Sequence, residues 1–234
     1  MFFDQYYFIL VVPTLLLSLW AQIKVKSTFA KYSNVQNSRR ITGMDAASII
    51  LRTNNINDVQ IEAVGGSLTD HYSPMGKKLR LSEPVYAQTS ISAVGVAAHE
   101  AGHAIQHAVK WAPLALRSTL VPVANIGSQL GPWIAIIGLG INASESYGHF
   151  SNILFNIGIL LFSCAVLFYV ITLPVEFNAS SRALALLRSN NVLTEEELKG
   201  AKKVLTAAAL TYVASALTAI MSLLRLLLLK RLRK

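Results

Sequence analysis

The sequence predicts a mainly α-helical integral membrane protein, with about four transmembrane helices and one polar α+β region carrying a small antiparallel sheet. Three observations lead there. Of 234 residues, 53% are hydrophobic and only 14% charged, whereas a soluble domain is nearer one quarter charged. The charges leave four uncharged stretches, each long enough to cross a hydrocarbon core of about 30 Å. Between the first two lies the one long polar region, where the hydrophobic period changes from helical to strand-like.

A formal net charge of +9 would suit nucleic acid, but the basic residues collect beside apolar runs, as the positive-inside rule expects of a membrane protein. No nucleic-acid partner is expected. The single cysteine, Cys164, lies in an apolar run. That excludes a disulfide within the chain and argues against a cysteine-ligated metal.

Gln5 to Ile23 is uncharged, preceded by Asp4 and followed by Lys24, Lys26 and Lys31. A secretory signal carries positive charge before its apolar stretch, so transmembrane helix 1 (5–23) reads as an uncleaved anchor with its N-terminus outside. Residues 24–117 form the polar region. Thr42-Gly43-Met44-Asp45 has the pattern of a helix N-cap with an acid at N3, opening a helix through Ile49, Ile50 and Leu51. Asn54 and Asn55 suit its end. From Val59 the period is two, with Val59, Ile61 and Ala63 alternating with polar residues. Ser73-Pro74-Met75-Gly76 reads as a turn, and Lys77 to Ser82 alternates again, giving an antiparallel sheet over 59–82. The next helix runs from about Ser90 to Val109 and is stopped by Pro113.

Two further spans follow, 118–144 and 146–174. The link between them, Asn142 to Ser151, contains Glu145 but no Lys or Arg, and is expected outside. Pro174 ends the second of these spans and suits the first position of a new helix within 175–203. Thr194-Glu195-Glu196-Glu197 is a second capping box. The helix it opens supplies the fourth span, 204–229, before a basic tail, 230–234. An outside N-terminus then places 16 of the 21 Lys and Arg inside. The same count leaves the five from Arg225 onward outside, so either the last helix stops short or the tail breaks the rule.

Chemistry concentrates in His99-Glu100-Ala101-Gly102-His103. Helical positions four apart share a face, so His99 and His103 can supply two ligands of a tetrahedral Zn²⁺, with Glu100 as general base toward a water molecule. Composition alone would produce about 0.004 such matches in the chain. A catalytic zinc needs a third protein ligand. His107 lies about 12 Å from His99 along a continuous helix, and no glycine break brings it back. It is expected behind the ligands or at the surface. Glu145 and His149 fall in the outside link, and Glu195–Glu197 serve a helix start. Glu176 remains, in the first turn after Pro174, where the returning chain passes the membrane surface. The expected metal ligands are therefore His99, His103 and Glu176, in a zincin-like catalytic region.

Several segments carry a resemblance. They are Leu68-Thr69-Asp70-His71-Tyr72-Ser73-Pro74, Lys78-Leu79-Arg80-Leu81-Ser82, Ala97 to Gln106 around His99, and Pro174-Val175-Glu176-Phe177-Asn178-Ala179-Ser180. Together they resemble the YugP-type neutral zinc metallopeptidases of bacterial membranes, over nearly the whole chain. More distantly the chain is similar to HtpX-type membrane peptidases, whose third ligand is a Glu opening Glu-Phe-x-Ala-Asp. The resemblance implies Glu176 as ligand. Ser180 stands where the distant family has Asp; it would hydrogen-bond a ligand His, a hydroxyl accepting that bond more weakly than a carboxylate. His71, near the sheet that should border the cleft, is a candidate donor to the oxyanion of a tetrahedral intermediate, as are Tyr72 and Tyr86.

The function expected is an integral-membrane, multi-pass zinc endopeptidase acting on membrane or membrane-proximal proteins, with the active site on the cytoplasmic side. Its partners are the lipid bilayer and a protein or peptide substrate lying along the sheet edge. Two alternatives stay open. From Pro84 to Val109 only Glu100 is charged, so the metal helix could be embedded and the cleavage intramembrane, although its His and Gln residues make an expensive span. A membrane scaffold with a structural zinc is the non-enzyme reading, against which Glu100 argues.

Overall fold

The computed structural model of the protein describes residues 4–141 and 148–232. Glu145 and most of the link expected outside lie beyond the described residues, as do positions 233–234 of the tail. The fold is mainly α-helical with one small sheet. Among the described residues, four helices are long and apolar enough to cross a membrane: Tyr7–Ser33, Ala112–Ile141, Gly148–Ser189 and Glu195–Arg231. We call their regular parts α1 (Val12–Ser33, after a π-helical turn Tyr7–Val11), α5 (Ala112–Ile141), α6 (Gly148–Ser189) and α7 (Glu195–Arg231). Each carries large apolar side chains at its surface, including Leu16, Trp20, Ile126, Trp133, Leu160 and Leu227. Such a surface suits lipid and not water.

The chain divides into two compact units. The described residues of Met1–Trp20, Leu116–Leu173 and Tyr212–Lys234 form the first. Its core packs Ala124, Ala135, Leu139, Phe155, Phe162, Ala165 and Leu226. Small residues let α5 and α6 touch closely here: a Cβ at Gly158 would fall 2.4 Å from the amide nitrogen of Ala135. Arg225 of α7 donates to the Asp4 carboxylate, at 3.0 and 2.5 Å, and stacks over the Tyr7 ring. α7 runs through Arg231, and its Arg225 meets Asp4, the residue that precedes the first apolar stretch.

The second unit, Ala21–Ala115 with Pro174–Thr211, holds the sheet and the helix that carries His99 and His103. Here α2 (Gly43–Thr53) opens on a full capping box, Thr42 accepting from the Asp45 amide and Asp45 from the Thr42 amide. Asn54 caps its end and Asn55 takes the left-handed conformation at φ 58°. The sheet comprises β1 (Gln60–Val64), β2 (His71–Ser73) and β3 (Lys78–Ser82), ordered β1-β3-β2. It corrects the antiparallel expectation: β2 pairs antiparallel with β3, but β1 pairs parallel with β3. The reason is position. The turn after Ser73 folds β3 back on β2, and β3 then takes the middle place, so β1 and β3 run in the same direction. Glu62 of β1 fixes that register by accepting from Lys78 and Arg80, at 2.9 and 2.5 Å. Asp70 ties β2 to the end of β3, accepting from the Ser82 amide at 2.7 Å and from its hydroxyl.

A short α3 (Glu83–Tyr86) leads to α4 (Ile91–Ala108), whose N-cap Ser90 accepts from the Ala93 amide. The stop differs from expectation. α4 ends before Lys110, which adopts φ 52°, and Pro113 lies in the first turn of α5, where its missing N–H costs nothing. Pro174 likewise starts no helix. It lies inside the unbroken α6, and what changes there is the compact unit. An interior proline costs about 3 kcal/mol in an exposed soluble helix, but apolar helices tolerate it where neighbouring groups take up the freed carbonyl.

Candidate metal centre

α4 is the most enclosed helix of its unit, since Ala97, Ala98, Ala101 and Ala104 are buried small residues that let its neighbours approach. The closest approach is at Gly102. A Cβ there would lie 2.8 Å from the Ala179 carbonyl oxygen and 3.2 Å from its Cα. The glycine between the two histidines thus brings α6 against α4, and α6 brings Glu176. The expected consequence is testable. Gly102→Ala should force the helices apart, destabilising the fold by about 1–3 kcal/mol and weakening metal retention with it. An unchanged melting temperature with unchanged metal content would contradict this.

His99, His103 and Glu176 each offer one ligand atom, and all three atoms lie within 4.8 Å of one another. Oε2 of Glu176 is 3.2 Å from Nε2 of His99 and 3.6 Å from Nε2 of His103. The two rings stand edge to face, with centroids 4.7 Å apart. Three donors bound tetrahedrally at about 2.0–2.1 Å would be separated by about 3.4 Å, so the spacing fits a zinc ion. The chemistry fits too: the Glu176 side chain is only 2% exposed, and a carboxylate taken so far from water needs positive charge nearby.

Both outer ring nitrogens are engaged, which leaves the Nε2 atoms to face Glu176. Nδ1 of His99 lies 3.1 Å from the Ser180 hydroxyl. Nδ1–H of His103 donates to Oε1 of Gln106 at 3.0 Å. Gln106 in turn donates to the Val175 carbonyl and to Oδ1 of Asn178, which also accepts from Arg182. A relay from Arg182 through Asn178 and Gln106 therefore sets the tautomer and tilt of His103. Sequence reasoning missed Gln106 and Asn178 in this role. The signal was there: Gln106 is one turn beyond His103, and Asn178 is the variable position of the Glu-Phe-x-Ala segment.

Burial disfavours the imidazolium of His103, but the Glu176 carboxylate beside it and the charge of Glu100 outweigh this and raise its pKa above the ordinary histidine value. Glu100 itself is buried on α4 between the two histidines.

The other expected site residues go elsewhere. His107 is hydrogen-bonded through Nδ1 to the Tyr72 hydroxyl at 2.8 Å. Burial, with Asp58 contributing, pushes that phenol up to about 12, so it stays protonated. His71 is exposed on β2. Its Nδ1 lies 2.9 Å from the Thr69 carbonyl and its Nε2 3.4 Å from an Arg80 guanidinium nitrogen.

Fold and site define a class: a helical membrane protein with a largely buried His-His-Glu cluster suited to a metal ion. The chain belongs to the family described as "Putative neutral zinc metallopeptidase", which it matches over residues 7–231. It is 48% identical over 216 residues to "Putative membrane protease YugP" of Bacillus subtilis (strain 168), covering 92% of each chain. No solved structure matches it.

Proposed function

We propose that this protein is an integral-membrane zinc endopeptidase that hydrolyses peptide bonds of membrane or membrane-proximal proteins. The observation that carries the reading is the convergence of His99, His103 and Glu176, with a buried carboxylate, Glu100, on the same helix between the histidines. In this reading His99, His103 and Glu176 would hold the metal. Zn²⁺ there would supply Lewis acidity toward the scissile carbonyl and toward water near neutral pH. Glu100 accepts the proton of the attacking water and returns it to the departing amine. Ser180 and Gln106 hold the two imidazoles by their outer nitrogens. The substrate adds as a strand along β2, the sheet edge whose Tyr72 reaches α4 through His107. His71, exposed on β2 with Nε2 beside Arg80, is the candidate donor to the oxyanion. The test is metal analysis of the purified protein beside casein cleavage with and without chelator. Zinc near one per chain and chelator-sensitive cleavage are expected; cleavage that survives complete metal removal would overturn the reading.

Acid should strip the metal. A raised His103 pKa means that the metal-free fold keeps its proton to higher pH than the unfolded chain. That stabilises the metal-free fold below about pH 6.5 and is lost as pH rises through the folded value. Zinc needs the same nitrogen unprotonated. The gap in melting temperature between zinc-loaded and chelated protein should therefore shrink from about pH 8 to about pH 5. A constant gap would remove His103 from the ligands.

The metal centre is proposed to face the cytoplasm, because the basic flank Lys24 to Arg40 lies on its side of the chain's charge distribution. In a Cys164→Ser background, His149→Cys should react with an impermeant maleimide on intact cells and Ser38→Cys should not. The opposite pattern inverts the topology.

A further inference from the structure

Away from the metal cluster, five lysines converge on one cavity of about 720 Å³. Lys24 and Lys31 come from α1, and Lys199, Lys202 and Lys203 from α7. Like charges brought together repel, more strongly beside low-dielectric surroundings than in water. Lys199 is bridged to Glu196, and Lys31 lies 5.8 Å from the centroid of the Tyr32 ring. Lys24, Lys202 and Lys203 make no salt bridge among the described residues. Thr28 and Thr206 add hydroxyls to the same wall.

The cavity's place along the two helices identifies what it faces. Lys24 is the first charge after the uncharged run 5–23, and Lys203 is the last before the uncharged run 204–224. Both helices therefore cross from charged to uncharged sequence at this cavity, the level at which phospholipid phosphates lie. Ala207 and Leu210, one to two turns into the uncharged run, line it as well. Inorganic phosphate would need only the lysines, whereas an anionic lipid uses the lysines for its phosphate and the apolar wall for the start of its acyl chain.

We propose that this cavity binds one anionic phospholipid, with its phosphate among Lys24, Lys31, Lys202 and Lys203 and its acyl chain against Ala207 and Leu210. The full-length protein in neutral maltoside micelles is titrated with dioctanoyl phosphatidylglycerol, dioctanoyl phosphatidylcholine or inorganic phosphate, reading melting temperature. Phosphatidylglycerol should raise it by about 3 °C or more, and the other two should not. Lys24→Gln/Lys202→Gln/Lys203→Gln should weaken the apparent affinity by about tenfold or more, and the Lys→Arg triple should keep it. Arg39→Gln/Arg52→Gln/Lys110→Gln, which removes three exposed cations elsewhere in the same unit, should change it less than about twofold. Should the Gln triple not fold, the wild-type protein still decides: raising KCl from about 0.05 to 0.5 M must weaken phosphatidylglycerol binding several-fold. A response equal for phosphatidylcholine, a response to phosphate matching the lipid, equal loss in both Gln triples, or salt-independent affinity would each overturn the proposal. None of these readings needs peptidase activity, so their failure leaves the proposed hydrolysis standing.

Discussion

Glu100→Gln is expected to abolish peptide hydrolysis, by a factor of about 10² or more, while fold and metal content stay as they were. The substitution keeps the size of a buried side chain on α4 and removes only its capacity to take a proton. His99, His103 and Glu176, which form the candidate cluster, are untouched. A structural-zinc scaffold predicts no loss of any activity it has, because a structural site has no use for a base. The measurement is casein turnover beside zinc content and melting temperature for both proteins. If the variant purifies without metal, Glu100 is a ligand or a support of one; if it cleaves normally, the base is another group.

Glu176→Ala is expected to lose zinc altogether, with affinity falling by well over about 100-fold. Losing a residue that merely supports a ligand already costs about 10–100-fold, and this change removes a donor atom 3.2 and 3.6 Å from the two imidazoles. The metal-free variant should not be grossly unfolded, because the helix contact at Gly102 and Ala179 remains. His107→Ala is the control. It breaks the bond to Tyr72 and should leave zinc affinity within a few-fold. Competition with a chromogenic chelator separates the cases. Retained zinc in Glu176→Ala with loss in His107→Ala would exchange their roles and end the proposed ligand set.

The parts of this protein that are legible in its sequence are those decided by neighbours in the chain. Hydrophobic runs announce the four long helices because every backbone group in a bilayer must be satisfied within its own helix. Thr42 with Asp45, and Thr194 with Glu197, announce helix starts because capping is a contact over three residues. His99 and His103 share a face because the helix repeat puts them there. Glu176 is legible as a candidate because it lies just after Pro174 at the end of an uncharged run, where the returning chain leaves apolar sequence.

What only the tertiary structure decided depends on residues distant in sequence. Strand order is one case: alternation marks β1 and β3 but does not say that β3 enters the middle and pairs parallel with β1. Pro174 is another. Its local preference is to begin a helix, but α6 runs unbroken through it. The support of His103 by Gln106, Asn178 and Arg182 exists only because Gly102 lets α6 lie against α4. The five-lysine cavity needs α1 and α7 side by side, which no local pattern of charge reveals. Sequence determined which segments form and which residues are candidates for chemistry, since those follow from dihedral preference, capping and periodicity. Tertiary packing determined which of them meet, since close approach is set by the small residues at a crossing and by the burial gained there.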